Sequence, residues 1–157
     1  MGVQEVREYL KEWNLHERVR ELEQSSATVE LAAAALGVKG ARIAKSMAFR
    51  NGDGCILLVT AGDSKVDNQK FKNTFQVKAK MMSPEETLAS TGHAAGGVCP
   101  FALVSPKVKV YLDVSMWRFA TMFPACGSSN SAIELSCEEL FTCAQAIGWV
   151  DVCRLSA

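Results

Sequence analysis

Two apolar runs, residues 46–49 and 55–61, flank the segment Asn51-Gly52-Asp53-Gly54. Asn-Gly and Asp-Gly steps supply the positive φ that a tight turn requires, so this spacing predicts a β-hairpin. The hairpin constrains the fold class because the chain before it has a different period. Val3, Val6, Tyr9, Leu10 and Trp13 recur at three- and four-residue steps, with Glu5, Arg7, Glu8, Lys11 and Glu12 between them. That pattern predicts an amphipathic helix. The Asn14-Leu15 step interrupts it before Val19 and Leu22 resume the pattern.

Thr28 as N-cap and Gly37 as terminator bracket an Ala-rich helix over 29–36, and a further short helical segment is predicted over 39–45. Residues 66–75 return to helical spacing and 76–81 read as a strand. Ser83-Pro84-Glu85-Glu86 opens a helix that ends near Ser90. Strands are predicted at 102–105, 108–112, 121–125 and 131–135. A last helix runs from Ser136 toward Ile147, with Ser136 and Glu139 in capping-box spacing. The chain has 157 residues, 48% of them apolar, enough for a core of its own. Helices at both ends and short strands between predict one α+β domain over residues 1–157. Its sheet is expected to be mixed and curved, approaching a barrel.

Charge and cysteine usage exclude several function classes. Lys plus Arg and Asp plus Glu are both 17, so the basic excess of a non-specific nucleic-acid binder is absent. A nucleic-acid partner would be held by a local patch, or would offer only its end. Lys65, Lys70, Lys72, Lys78 and Lys80 form one such basic stretch. The first twenty residues are charged and lack the apolar core of a signal peptide, and no apolar run approaches membrane-spanning length. A cytoplasmic chain with no membrane partner is expected. The six cysteines form no C-x-x-C pair, which predicts reduced thiols, and two histidines without ligand spacing predict no metal site.

Residues 91–101 read Thr-Gly-His-Ala-Ala-Gly-Gly-Val-Cys-Pro-Phe. Glycines at 92, 96 and 97 permit positive φ or close approach to the main chain, and Pro100 fixes the exit. By composition this is a tight turn between a helix and a strand, or the rim of a pocket. His93 and Cys99 raise the possibility of a thiol nucleophile, which needs a base or positive site to lower its pKa. Buried filler cysteines are commoner than nucleophiles.

Together with Ile43-Ala44-Lys45-Ser46, this loop resembles the YbaK / aminoacyl-tRNA deacylase family, whose domain is also an editing insertion in bacterial prolyl-tRNA synthetases. Ala61-Gly62-Asp63, Val66-Asp67, Met82-Ser83-Pro84-Glu85-Glu86, Asp113, Ala125-Cys126-Gly127-Ser128 and Ile133-Glu134-Leu135-Ser136 extend the similarity along the chain. The resemblance implies a curved mixed sheet flanked by helices. It also implies trans-editing, the hydrolysis of the ester of mischarged tRNA, usually tRNA for proline carrying a small wrong amino acid. No metal or cofactor is implied. Expected partners are the acceptor end of the tRNA and, with it, prolyl-tRNA synthetase or an elongation factor, in a monomer or homodimer. A non-catalytic module that binds tRNA or synthetase is the alternative.

Carried over by the resemblance, Lys45 holds the tRNA end or polarises the ester, where an isolated lysine would read as a solvated surface group. The backbone of Gly96 and Gly97 shapes a site for a developing oxyanion. Ser46 contacts the aminoacyl group, and Met47, Phe49 and Val98 line the side-chain pocket. Cys99 and Pro100 are pocket wall, His93 is a loop-shaping or rim residue, and Gly127 and Ser128 form a second glycine turn facing the pocket. Asp113 is read as structural.

Overall fold

The computed structural model describes residues 2–155. Its centre is the predicted hairpin. Strand β2 (Ile43–Asn51) and strand β3 (Gly54–Ala61) pair antiparallel from Ala44–Ala61 to Asn51–Gly54. Every residue of β3 from Cys55 to Ala61 is buried. Alternation sends Cys55, Leu57, Val59 and Ala61 into the larger core, and Ile56 and Leu58 into a smaller one. A strand covered on both faces must have neighbours on both edges. β3 lies between β2 and the parallel strand β5 (Val108–Asp113).

Outward from there the sheet adds β6 (Thr121–Pro124) parallel to β2, and β9 (Gly148–Val150) parallel to β5. Strand β8 (Leu135–Ser136) closes the far edge antiparallel to β6. The result is a curled, half-barrel mixed sheet in the order β8-β6-β2-β3-β5-β9. Two short antiparallel pairs accompany it. β1 (Arg20–Glu21) pairs with β7 (Ser131–Ala132), and β4 (Ser64–Val66) with β10 (Cys153–Leu155).

Among the described residues five α-helices flank this sheet: α1 (Val3–Leu10), α2 (Val29–Leu36), α3 (Asn68–Phe75), α4 (Pro84–Thr91) and α5 (Cys137–Cys143). Their starts follow the sequence signals. Thr28 accepts the Leu31 N–H, and Ser83 and Ser136 each close a capping box with the glutamate three residues on. Among the described residues no helix is long and apolar enough to cross a membrane.

Several expectations are corrected. The first helix does not resume at Val19. Asn14 takes a left-handed conformation, a 3₁₀ turn follows at His16–Arg18, and β1 takes over. The segment 39–45 holds only the 3₁₀ turn Gly40–Arg42, because pairing with β3 and β6 draws residues from Ile43 onward into β2. Residues 76–81 make one β-bridge, Met81 opposite Phe49. Residues 102–105 are a loop in which Ala102 has positive φ. The expected strand 131–135 is split between two sheets, β7 and β8. The last helix stops at Cys143, and β9 and β10 follow it.

Phe71 of α3 is fully buried under the smaller core, with ring centroids 4.8 Å from Phe49 and 4.7 Å from Phe75. Phe71→Ala is expected to destabilise the fold by roughly 3–5 kcal/mol. A urea titration should show a lower midpoint at unchanged m value, and a midpoint within error of wild type would refute this packing role.

Candidate functional site

The outer edge of β2 is covered at both ends and open in the middle. Only Ile43 and Ala44 pair with β6, opposite Phe123 and Pro124. Further along, the Ala48 carbonyl accepts the Met82 N–H and the Arg50 N–H donates to the Lys80 carbonyl, each at 2.9 Å. Between these anchors, Lys45, Ser46 and Met47 have no strand on this outer edge among the described residues. A cavity of about 170 Å³ occupies the opening on the β6 side. Lys45, Ser46, Gly96 and Val98 are among its walls, so the structure brings the lysine motif and the glycine loop together.

Two glycine turns set the shape of this opening. Gly96 and Gly127 have φ of +88° and +90°. A Cβ on Gly97 would stand 2.8 Å from Gly127 C and Ser128 N, so the two turns pack main chain on main chain. The Gly97 N–H donates to the Ala94 carbonyl at 3.0 Å and is therefore spent inside the loop. Gly96 and Val98 line the cavity, and their N–H groups make no hydrogen bond among the described residues.

Lys45 is half-buried, and its ammonium donates to the Ser64 carbonyl. Burial lowers its pKa from the ordinary lysine value, while nearby groups such as Cys153 and Asp63 act in the opposite direction. An ammonium has three donors, so the Ser64 bond leaves two for a ligand. Asp63 is held below the usual carboxylate range by its two bonds to Arg118, at 2.9 and 2.6 Å. The Ser46 hydroxyl is buried and makes no hydrogen bond among the described residues. An orphaned buried hydroxyl costs about 1–3 kcal/mol, which a ligand in the cavity can recover.

The rest of the wall was not assigned to the site from the sequence. Ser26 to Val29 and Ala32 bring the start of α2 against the cavity, and Ile43, Phe123 and Ala125 make an apolar side. The positive end of a helix dipole beside a lysine favours a ligand with negative or partly negative oxygens. The Thr28 N-cap next to a candidate ligand-binding lysine was the signal available for these residues.

Several expected site residues lie elsewhere. Phe49 lies farther along β2, on the same strand face as Lys45, and packs on Phe71 in the smaller core instead of lining the cavity. Met47 shares that face and lines a second, apolar cleft beyond Val98. Pro100 is buried at the loop exit, and Gly127 and Ser128 support the cavity from behind, where Ser131 and Ala132 supply its wall. Ser128 Oγ donates to Asn130 Oδ1 at 2.9 Å. Asp113 is structural, accepting the N–H groups of Ser115 and Val152 at 2.9 Å each.

His93 and Cys99 do meet, at 3.5 Å between Nε2 and Sγ, but both are fully buried beneath the loop rather than at its rim. His93 Nε2–H donates to the Phe101 carbonyl at 2.7 Å. Burial lowers the imidazole pKa and pushes the Cys99 thiol up to about 12, so the pair is neutral and braces the loop. Native thiol labelling should find one fast site, the half-buried Cys137, since the other five cysteines are buried. Cys137→Ser should remove the fast phase. Rapid modification of Cys99 in the folded chain would contradict this geometry.

Comparison with known proteins gives a consistent picture. The model of a family described as the aminoacyl-tRNA editing domain matches residues 23–143. The chain is 54% identical over 155 residues to the uncharacterized protein YwhH of Bacillus subtilis, covering 98% of each. It is 31% identical over 97 residues to the proline–tRNA ligase of Bacillus licheniformis, spanning 61% of this chain and 17% of the ligase. A crystal structure described as a candidate trans-editing enzyme for prolyl-tRNA synthetase superposes with a TM-score of 0.87 at 26% identity, over 97% of this chain and 96% of that one.

Proposed function

The chain belongs to the aminoacyl-tRNA editing domain family, and on that premise we propose that it is a trans-editing deacylase. Its substrate in this reading is tRNA for proline carrying a small non-cognate amino acid. The observation that carries the reading is that Lys45, Ser46, Gly96 and Val98 line one small cavity with hydrogen-bonding capacity to spare. The half-buried Lys45 ammonium spends one donor on Ser64, the Ser46 hydroxyl is orphaned, and the Gly96 and Val98 N–H groups have no partner among the described residues.

The reaction follows from that arrangement. The amino acid's side chain meets the apolar wall of Val29, Ala32, Ile43 and Phe123, where about 170 Å³ of space excludes large groups. Lys45 and the α2 start attract the oxygens of the tRNA end. Water adds to the ester carbonyl, and negative charge grows on its oxygen. In this reading the free loop N–H groups and the Lys45 ammonium stabilise that charge, and donors fixed in advance lower the barrier because they need no reorganisation. The bond from the carbonyl carbon to the ribose oxygen then breaks. The ribose oxygen takes a proton, and free amino acid and uncharged tRNA leave.

Such an activity complements a synthetase. One apolar pocket separates near-isosteric amino acids by only about 10–200-fold, so a second hydrolytic site adds discrimination. A cytoplasmic chain that receives mischarged tRNA from prolyl-tRNA synthetase or an elongation factor fits this role. A site that takes only the aminoacyl end of the tRNA suits a chain without net positive charge.

Lys45→Ala is expected to lower kcat/KM for release of alanine from tRNA for proline by about a hundred- to a thousandfold, with an unchanged circular dichroism spectrum. Full activity in that variant would remove Lys45 from the mechanism. Tight tRNA binding by wild type without amino acid release would favour a binding module instead. The pH profile is a separate test. Burial lowers the Lys45 pKa, so its ammonium is lost at a lower pH than that of an ordinary lysine as pH rises. After subtraction of chemical hydrolysis, activity should fall on the alkaline side earlier than an ordinary lysine would dictate.

A further inference from the structure

The second cleft adjoins the ester cavity, and no step of the proposed reaction uses it. Met47, Met81, Met82, Pro84 and Ala95 line it, while Ser46 and Val98 are walls of both spaces. Its volume is about 280 Å³ and its lining is mostly apolar. Met81 is 58% exposed at its mouth. The segment that carries Met81 and Met82 also carries Lys78 and Lys80. Both lysines are exposed, and neither enters an ion pair among the described residues. Glu86, the nearby acid of α4, is neutralised by Arg50.

We propose that this cleft holds the terminal nucleobase of the RNA whose ester occupies the first cavity, with Lys78 and Lys80 meeting its phosphates. The inference rests on the reading of the first cavity as the ester site. The ester and the terminal base belong to the same nucleoside, so the base must lie within a sugar's width of the ester carbonyl. The methionine cleft meets that requirement because Ser46 and Val98 separate it from the cavity by a single wall. Its chemistry also suits a flat heteroaromatic ring. Single-stranded RNA ends are read with their bases splayed out onto apolar or aromatic surfaces. Methionine sulfur packs well against aromatic rings and adapts to their outline. Two unpaired lysines on the adjoining segment complement a backbone that is negative at every step.

The test uses the trinucleotide CCA, the sequence of the tRNA 3′ end, with protein carrying ¹³C-methyl methionine. Titration should move the methyl signals of Met47, Met81 and Met82 and leave those of Met116 and Met122, which are fully buried in the larger core. Met81→Glu should weaken CCA binding at least about tenfold. Lys78→Glu with Lys80→Glu should weaken it and flatten its salt dependence. The proposal is overturned if CCA binds without moving the cleft methionines. It is also overturned if those signals move with protein concentration alone, which would make a second copy the occupant. Amino acid release is measured separately. Release with silent methionines leaves the deacylase standing and removes the base site, whereas methionine shifts without release do the reverse.

Discussion

Strand β3 carries the rest of the structure. A run of apolar residues buried on both faces cannot satisfy its backbone by solvent, so both of its edges must be paired. The hairpin supplies β2 on one side and the crossover through α3 and α4 supplies β5 on the other. The two faces then recruit two cores. α1 and α5 close the larger one, and α3 closes the smaller one with a chain of aromatic rings from Phe49 to Tyr111.

Because β3 already satisfies one edge of β2, the other edge is free to be used discontinuously. β6 covers its beginning and the segment before α4 covers its end. At Lys45 to Met47 the inner edge stays paired with β3, while this outer edge has no strand partner among the described residues. Two positive-φ glycine turns approach from the far side and stop short of it, held apart by their own main-chain contact at Gly97. The price is local: an orphaned hydroxyl and loop donors without partners. Conflicts between local satisfaction and global fold concentrate at functional sites, and here they converge on one small cavity.

Electrostatics separates Lys45 from the Cys99–His93 pair. Cys99 and His93 touch, yet burial makes both neutral, and their value lies in bracing the loop through the Phe101 carbonyl. Lys45 is buried only halfway and keeps an acceptor, Ser64, together with the nearby Asp63. Partial burial makes its charge matter more than it would in water, and the nearby acceptor and carboxylate oppose the lowering of its pKa. In the proposed reaction that difference separates scaffold from chemistry, and the small apolar wall behind it measures the side chain.

The hairpin, the capped starts of α2, α4 and α5, and the pairing of a lysine strand with a glycine loop were legible in the sequence. Each depends on local rules: turn residues, N-caps and a motif with its spacing. The extent of the last helix, the split of residues 131–135 between two sheets and the late strands β9 and β10 were not, because those segments are short and their state is set by the edge they find. The site divides in the same way. The chain alone determined that Lys45, Ser46 and Gly96 stand out. Only the tertiary structure decided that Phe49 turns to the other core, that the Gly97 N–H is already spent, and that Ser26 to Val29 face the lysine. Side-chain direction, hydrogen-bond partners and burial are properties of packed neighbours, and a strand's alternation assigns residues to faces without saying where along its edge a cavity opens.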